Sequence, residues 1–401
     1  MADFRPFKGL IPSLSRGESI EDRISPPYDV IDDDQKRALQ SHDHNITRVT
    51  LGATRGSYTK AAKELEEWTE GKAIIADRKD SFYVYRQTFL ENGTALTRTG
   101  IIGRLRLEPY GGNILPHEET SSKVKKDRLN LLRAIQVHPE SIFCIHEHSD
   151  PGVMKKVSGT KPIFEHTDAS GVKHSFSRIS DSALVKAITS IISDQKLLIA
   201  DGHHRYETAL RYSEENPGDE KKAYVLATLV ASDDPGLIIR PTHRLYEVGG
   251  FSTDFFLSIA SKEFMLWEAT GPDELQEFMR ESKRTALGFL LKDGRIFAGE
   301  SLVPLSKDPL KSLDTKICED AVYDRMLVPL AEGRDVAIEY DHDLASVREK
   351  MSSGEWDLAV ILSPPSLDTV WKVAKLGKKM PRKSTYFWPK IWSGFVLYSM
   401  R

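Results

Sequence analysis

The sequence predicts a mixed α/β (α+β) protein, and three observations carry that prediction. Helical and extended patterns alternate along the chain with no internal repeat or low-complexity tract. Residues 82–89 and 97–107 are rich in strand formers and flank Asn92-Gly93, the preferred dipeptide of a tight hairpin. The apolar run Leu197-Leu198-Ile199 passes through Ala200-Asp201-Gly202 into a helical pattern, so this stretch reads as strand, sharp turn, helix.

Taken in order, the first helices fall at 32–40 and 58–70, the second with Ala61, Ala62, Leu65 and Trp68 near one face. After the hairpin, residues 124–137 form an amphipathic helix through Leu129, Leu132 and Ile135, followed by a strand at 142–146. A helix at 182–192, a strand at 197–200, a helix at 203–215 and a buried strand at 224–231 come next. Past residue 245 the pattern continues with helices at 255–263 and 273–281 and strands at 287–291 and 358–362. The expected organisation is a unit over 1–245, a second mixed α/β unit over 246–365, and a basic-aromatic segment over 366–401 that returns to the functional site.

Bulk properties bound the function. At 401 residues, 40% hydrophobic and 29% charged, the chain has the composition of a soluble globular protein. A net charge of −3 argues against nucleic acid or a membrane surface as the main partner. The segment Met1-Ala2-Asp3-Phe4-Arg5-Pro6 lacks the apolar core of a signal peptide, and no run is long enough to span a bilayer. Cys144 and Cys318 stand far apart without a Cys-x-x-Cys companion, which disfavours a disulfide framework or structural zinc. A cytoplasmic location is expected. Oligomeric state is not encoded in any of these features.

The densest chemistry lies in Asp201-Gly202-His203-His204-Arg205. Gly202 permits a tight turn and close approach of a ligand to the backbone. The residues after it open a helix, where unpaired N–H groups and the positive dipole end favour an anion, phosphate above all. Arg205 would clamp phosphate oxygens through its planar fork. One histidine would donate to phosphate or act as a general acid, and Asp201 would hold a metal or orient a histidine. The plainer alternative is a capped helix with both histidines near the surface. It is the weaker reading, because a protonated imidazole at a positive helix end opposes the dipole.

Pro116-His117-Glu118-Glu119-Thr120 precedes Lys123, Lys126, Asp127 and Arg128. It is not a His-Glu-x-x-His metalloprotease pattern, because Ser121 stands where the second histidine is required. Its carboxylates read equally well as first-turn helix acids or as a base for a substrate hydroxyl or a Mg²⁺ ligand. Ser25-Pro26-Pro27-Tyr28-Asp29-Val30 is a stiff segment whose residues alone suggest a structural turn. Pro241-Thr242-His243-Arg244 and residues 380–390 read as polar-basic loops. In the latter, Lys383, Ser384, Thr385 and Lys390 would wrap a phosphate, without the glycine–lysine spacing of a Walker A loop. A nucleic-acid reading of that aromatic-basic loop is made less attractive by the balanced charge.

These motifs occur together and in order, with Phe4-Arg5-Pro6-Phe7 and Lys126-Asp127-Arg128-Leu129 among them. Over nearly its whole length the chain resembles the family catalogued as domain of unknown function 1015. That family is distantly similar to the ParB and sulfiredoxin superfamily through its Gly-His-His-Arg turn. The resemblance implies a ParB/sulfiredoxin-like phosphate-binding core elaborated with a second mixed α/β unit.

Free serine kinases of that superfamily carry a similar Asp-Gly-His-His-Arg motif and convert L-serine to O-phosphoserine, feeding cysteine synthesis. The resemblance therefore implies a small-molecule kinase acting on a free amino-acid hydroxyl, with Mg²⁺ and with pyrophosphate or a nucleotide as donor. Gly202, His203, His204 and Arg205 would cradle the donor phosphates, and Asp201 would sit by the metal or the transferred group. Glu118 is the candidate base and Glu119 its reserve, with Tyr28, Asp29, His117, Thr120, His243 and Arg244 expected to bind substrate. A non-enzymatic nucleotide or phospholigand sensor and a phosphohydrolase are the competing readings, since both use the same turn.

Overall fold

The computed structural model describes residues 1–52, 58–304 and 306–401. The chain folds as two compact units, one of Met1–Pro116, Thr120–Ile238 and Pro389–Arg401, the other of His117–Glu119 and Ile239–Trp388.

The first unit is built on a nine-stranded mixed sheet. Its strands are β1 (Phe4–Arg5), β2 (Phe82–Glu91), β3 (Thr94–Arg106), β4 (Ile114–Leu115), β5 (Ile142–His146), β6 (Pro162–Thr167), β7 (Lys173–Ile179), β8 (Leu197–Asp201) and β9 (Tyr224–Ala231). They run in the order β4-β8-β5-β9-β3-β2-β7-β6, with β1 added along β3. The β2–β3 hairpin turns at Asn92 and Gly93, both at positive φ, as a type I′ turn requires. β8 is parallel to β4 and antiparallel to β5, and β9 is parallel to β5. Every residue of β9 is buried, which explains its unbroken apolar run.

Helices α1 (Asp33–Gln40), α2 (Tyr58–Glu70), α3 (Ser122–Ile135), α4 (Ser182–Ser193) and α5 (His203–Glu214) belong to this unit. Asp32 and Gln35 form a reciprocal capping box that starts α1. Gln136, in the left-handed region at φ 50°, ends α3 and returns its N–H to Leu132. α5 packs on the sheet through Tyr206 and Ala209, which join Ile142, Leu197 and Ile199 in one core.

The second unit carries a six-stranded antiparallel sheet: β10 (His243–Val248), β11 (Phe264–Ala269), β12 (Ala286–Leu291), β13 (Ile296–Ser301), β14 (Val336–Asp341) and β15 (Leu358–Ile361). Its order is β11-β13-β12-β15-β10-β14. Helices α6 (Thr253–Ala260) and α7 (Pro272–Glu281) bury Phe256 and Leu275 against it. A further helix is α-helical over Asp314–Ile317, π-helical over Cys318–Leu327 and α-helical again over Val328–Leu330.

The stretch Pro241-Thr242-His243-Arg244, read from sequence as a loop, is corrected here: β10 begins at His243. The strand formers Leu245, Tyr246 and Val248 that follow draw it into the sheet. Among the described residues, no helix is long and apolar enough to cross a membrane.

Candidate functional site

β8 delivers Asp201 to the end of the sheet through a register shift against β5 between Ile199 and Asp201. Gly202 follows at φ +91° and is the N-cap of α5, contributing no side-chain cap. A Cβ there would lie 3.1 Å from Arg205 Nε, Arg205 Nη2 and Ile142 Cγ2, so both backbone angle and space select glycine. The turn lays the Arg205 guanidinium against the Gly202 backbone at the positive end of the helix.

Two cations converge on Asp201. Lys390 Nζ donates to Asp201 Oδ2 at 2.9 Å, and Arg205 Nη2 lies 3.8 Å from Asp201 Oδ1. Burial opposes ionisation of this carboxyl, but Lys390 and Arg205 outweigh it and hold the group well below the usual carboxylate range. The Lys390 backbone is itself fixed: Gln87 Nε2 donates to Lys390 O at 2.7 Å, and Arg98 donates to Pro389 O. Arg98 is buried with its guanidinium 5.0 Å from the Phe143 ring, and burial brings its pKa down to about 10.

Arg205 is committed within the protein. Its Nη1 donates to Ser141 O, and its charge faces Glu140, Asp201 and Asp29. Burial works against its charge, yet these three carboxylates leave its pKa raised. Glu140 is only 6% exposed. It accepts from the Tyr28 N–H at 3.3 Å and from Ser393 Oγ at 3.4 Å, and burial pushes its pKa up against the pull of Arg205 and Arg128. The Arg128 guanidinium stacks 4.5 Å from the Tyr28 ring, whose hydroxyl is pushed up to about 12 by burial. Asp29 is exposed beside them.

Of the other expected site residues in this unit, His204 Nε2 accepts the Ser121 N–H at 2.8 Å. His203 is buried. Thr120 Oγ1 donates to Glu207 Oε2 at 2.7 Å, where Lys125 Nζ also donates at 2.8 Å, tying α3 to α5.

His117, Glu118, Glu119, His243, Arg244, Lys383, Ser384 and Thr385 belong to the second unit. There His117 Nε2 bonds Thr385 Oγ1 at 2.9 Å, and Glu118 bridges to Met380. Ser384 is buried with its hydroxyl on Pro381 O and Thr315 Oγ1. His243 is buried too, accepts the Leu362 N–H at 3.2 Å, and is held by burial down to about 4. Lys383 is exposed at φ 57°.

The Mg²⁺ expected at Asp201 does not fit the residues present. Among the described residues no group of three His, Cys, Asp or Glu side chains is placed to hold a metal. Asp201 itself already faces an ammonium and a guanidinium.

The family described as "Protein of unknown function (DUF1015)" matches residues 4–316. The chain belongs to this family. No curated protein matches this DUF1015 member. Among solved structures, it is similar to a free serine kinase variant in complex with AMP, at 16% identity and TM-score 0.38 over 69% of this chain and 84% of that one. A conserved hypothetical protein from Pyrococcus furiosus aligns at 13% identity and TM-score 0.38, over 70% and 89% of the two chains. SbnI from Staphylococcus aureus aligns at 11% and 0.37, over 74% and 86%. At this level of similarity, function in the DUF1015 member is read from its own residues.

Sequence reasoning missed Glu140, Ser141 and Glu207. Glu207 carried a usable signal, since it lies one helical turn beyond His203 and His204 and faces the same neighbours. Glu140 carried none, standing in a polar stretch before β5.

Proposed function

We propose that the first unit binds a phosphoryl donor at the Asp201–Arg205 turn and transfers its terminal phosphoryl group to the hydroxyl of a free amino acid, L-serine in the first instance. The observation that carries this reading is the convergence of Lys390 and Arg205 on Asp201 at the N-terminus of α5. Phosphoryl transfer asks chiefly for positioning and charge neutralisation. A helix end with a glycine turn and two fixed cations supplies both. The resemblance of Asp201-Gly202-His203-His204-Arg205 to the free serine kinase motif supports the same class of reaction.

The acceptor oxygen forms the new P–O bond, the donor's bridging P–O bond breaks, and phosphate or a nucleoside phosphate leaves. The acceptor proton needs a carboxylate. Of the three carboxylates that face Arg205, Asp201 is held by Lys390 and Glu140 is buried, so this reading assigns the base to exposed Asp29. Glu118, the expectation from sequence, is the rival.

The test is to incubate the protein with L-serine, Mg²⁺ and, separately, pyrophosphate, ATP or ADP, and to follow phosphorus NMR. O-phosphoserine with one donor is the expected result. Folded protein that yields none with any donor overturns the reading.

A further inference from the structure

We propose that the second unit carries a binding site of its own, for a small organic anion with a flat ring and a carboxylate or phosphate at its charged end. This inference does not rest on the phosphoryl-transfer reading. It starts from a cavity of about 550 Å³ within the second unit, in the size range of small-molecule sites.

The cavity follows from strand and helix periodicity. Arg244 of β10 pairs with Tyr340 of β14, and Tyr246 with Ile338. Residues two apart on a strand share a face, so these four side chains form one floor, and all four line the cavity. The wall is the helix that begins at Asp314, presenting Lys316, Glu319 and Tyr323 at spacings of three and four. Its π-helical segment starts within this wall, a departure from α-helical winding that often marks functional sites. The rim is the segment from Lys379 to Arg382. The Met380 N–H donates to His117 O at 2.8 Å, and Ser384 ties Pro381 O to Thr315, so the rim is held in shape.

Charge then specifies the ligand. Arg244 is 5% exposed, donates to Thr242 O at 2.6 Å and lies 5.6 Å from the Tyr340 ring. Among the described residues no carboxylate comes within ion-pair distance of it. Asp314 lies in its field, but Oδ2 of that residue accepts the Ser363 N–H at 2.8 Å. A nearly buried guanidinium without a counter-ion is costly, and a ligand anion would remove that cost. Lys379 and Arg382 are exposed at the rim, and among the described residues neither makes an ion pair. Lys316 is satisfied by Glu319 and Asp320, which leaves three cations against Glu119. A guanidinium fork matches carboxylate and phosphate, and the faces of Tyr323 and Tyr340 suit a planar ring.

The test titrates the whole protein by calorimetry with phenyl phosphate and phenylacetate, and with inorganic phosphate and benzyl alcohol as the separated halves. One ring-bearing anion is expected to bind with one-to-one stoichiometry, at least tenfold tighter than either half. The exposed double variant Lys379→Glu/Arg382→Glu should weaken it at least tenfold, and Arg244→Lys should do the same by removing the fork while keeping the charge. Lys390→Met should leave it unchanged. The proposal is overturned if neither ring-bearing anion saturates, if binding survives the rim variant intact, or if Lys390→Met abolishes it. That last result would assign the anion to the first unit.

Discussion

Lys390 Nζ lies 2.9 Å from Asp201 Oδ2, joining residues 189 positions apart across one half-buried ion pair. Removing the cation leaves Arg205, at 3.8 Å, as the nearest ion-pair partner of Asp201 among the described residues. Lys390→Met is therefore expected to cost about 2–3 kcal/mol in denaturant unfolding, since the abandoned carboxylate keeps its desolvation penalty. Lys390→Met with Asp201→Asn should cost less than the sum of the single changes. Strict additivity would show that the pair is not coupled.

Arg205 is bound to the protein before any ligand arrives. Arg205→Ala strips Glu140 and Asp201 of a shared counter-charge, so a stability loss of about 3 kcal/mol is expected together with weaker phosphate binding. Pairing it with Glu140→Gln should recover part of the stability and none of the affinity. Recovery of both would make Arg205 purely structural.

Gly202 at φ +91° admits no side chain without displacing Arg205. Gly202→Ala is expected to destabilise the protein by about 1–2 kcal/mol and to weaken pyrophosphate binding at least tenfold. A variant as stable and as tight-binding as the parent would contradict the turn geometry.

The base separates an enzyme from a sensor. Asp29→Asn should abolish O-phosphoserine formation while retaining donor affinity, with Glu118→Gln retaining turnover. Loss in Glu118→Gln alone would return the role to the residue favoured by sequence. Tight donor binding without turnover in any form would make the protein a phospholigand sensor.

Burial holds the imidazoles of His138 and His243 down to about 4, against an ordinary 6.5. The unfolded chain therefore takes up protons that the folded chain refuses. Stability from these two groups is complete above about pH 6.5 and is lost as pH falls through about 4, by up to about 3 kcal/mol each. Urea unfolding between about pH 7 and 4.5 should show this slope. His243→Asn, whose Oδ1 can accept the Leu362 N–H in place of Nδ1, should flatten it.

What was legible in the sequence was local. The hairpin at Asn92-Gly93, the capped start of α1 and the β8–Gly202–α5 turn each follow from side chains a few residues apart. The mixed α/β class followed from the same signals. The meeting of Lys390 with Asp201 did not, because no periodicity links positions so distant. His243 misled for a different reason. Polar neighbours on its N-terminal side mask a strand whose apolar members come after it. The edge strand β6 hid behind polar residues that alternate with only a few apolar ones, while its inner neighbour β7 buries His174, Ser175 and Ser177 beside Phe176, so polar residues stand at buried positions.

The first unit is interrupted by the second in the order of synthesis, and this has a cost in time. Asp201 and Arg205 leave the ribosome long before Lys390. At roughly 5–20 residues per second, the 189 positions from Asp201 to Lys390 take roughly 10–40 s. During that interval Asp201 lacks its ammonium partner, and Val137 and His138 lack Tyr398 and Ser399, the strand that pairs with them. The nascent Asp201 turn is an open clasp until residues 390–399 arrive to shut it.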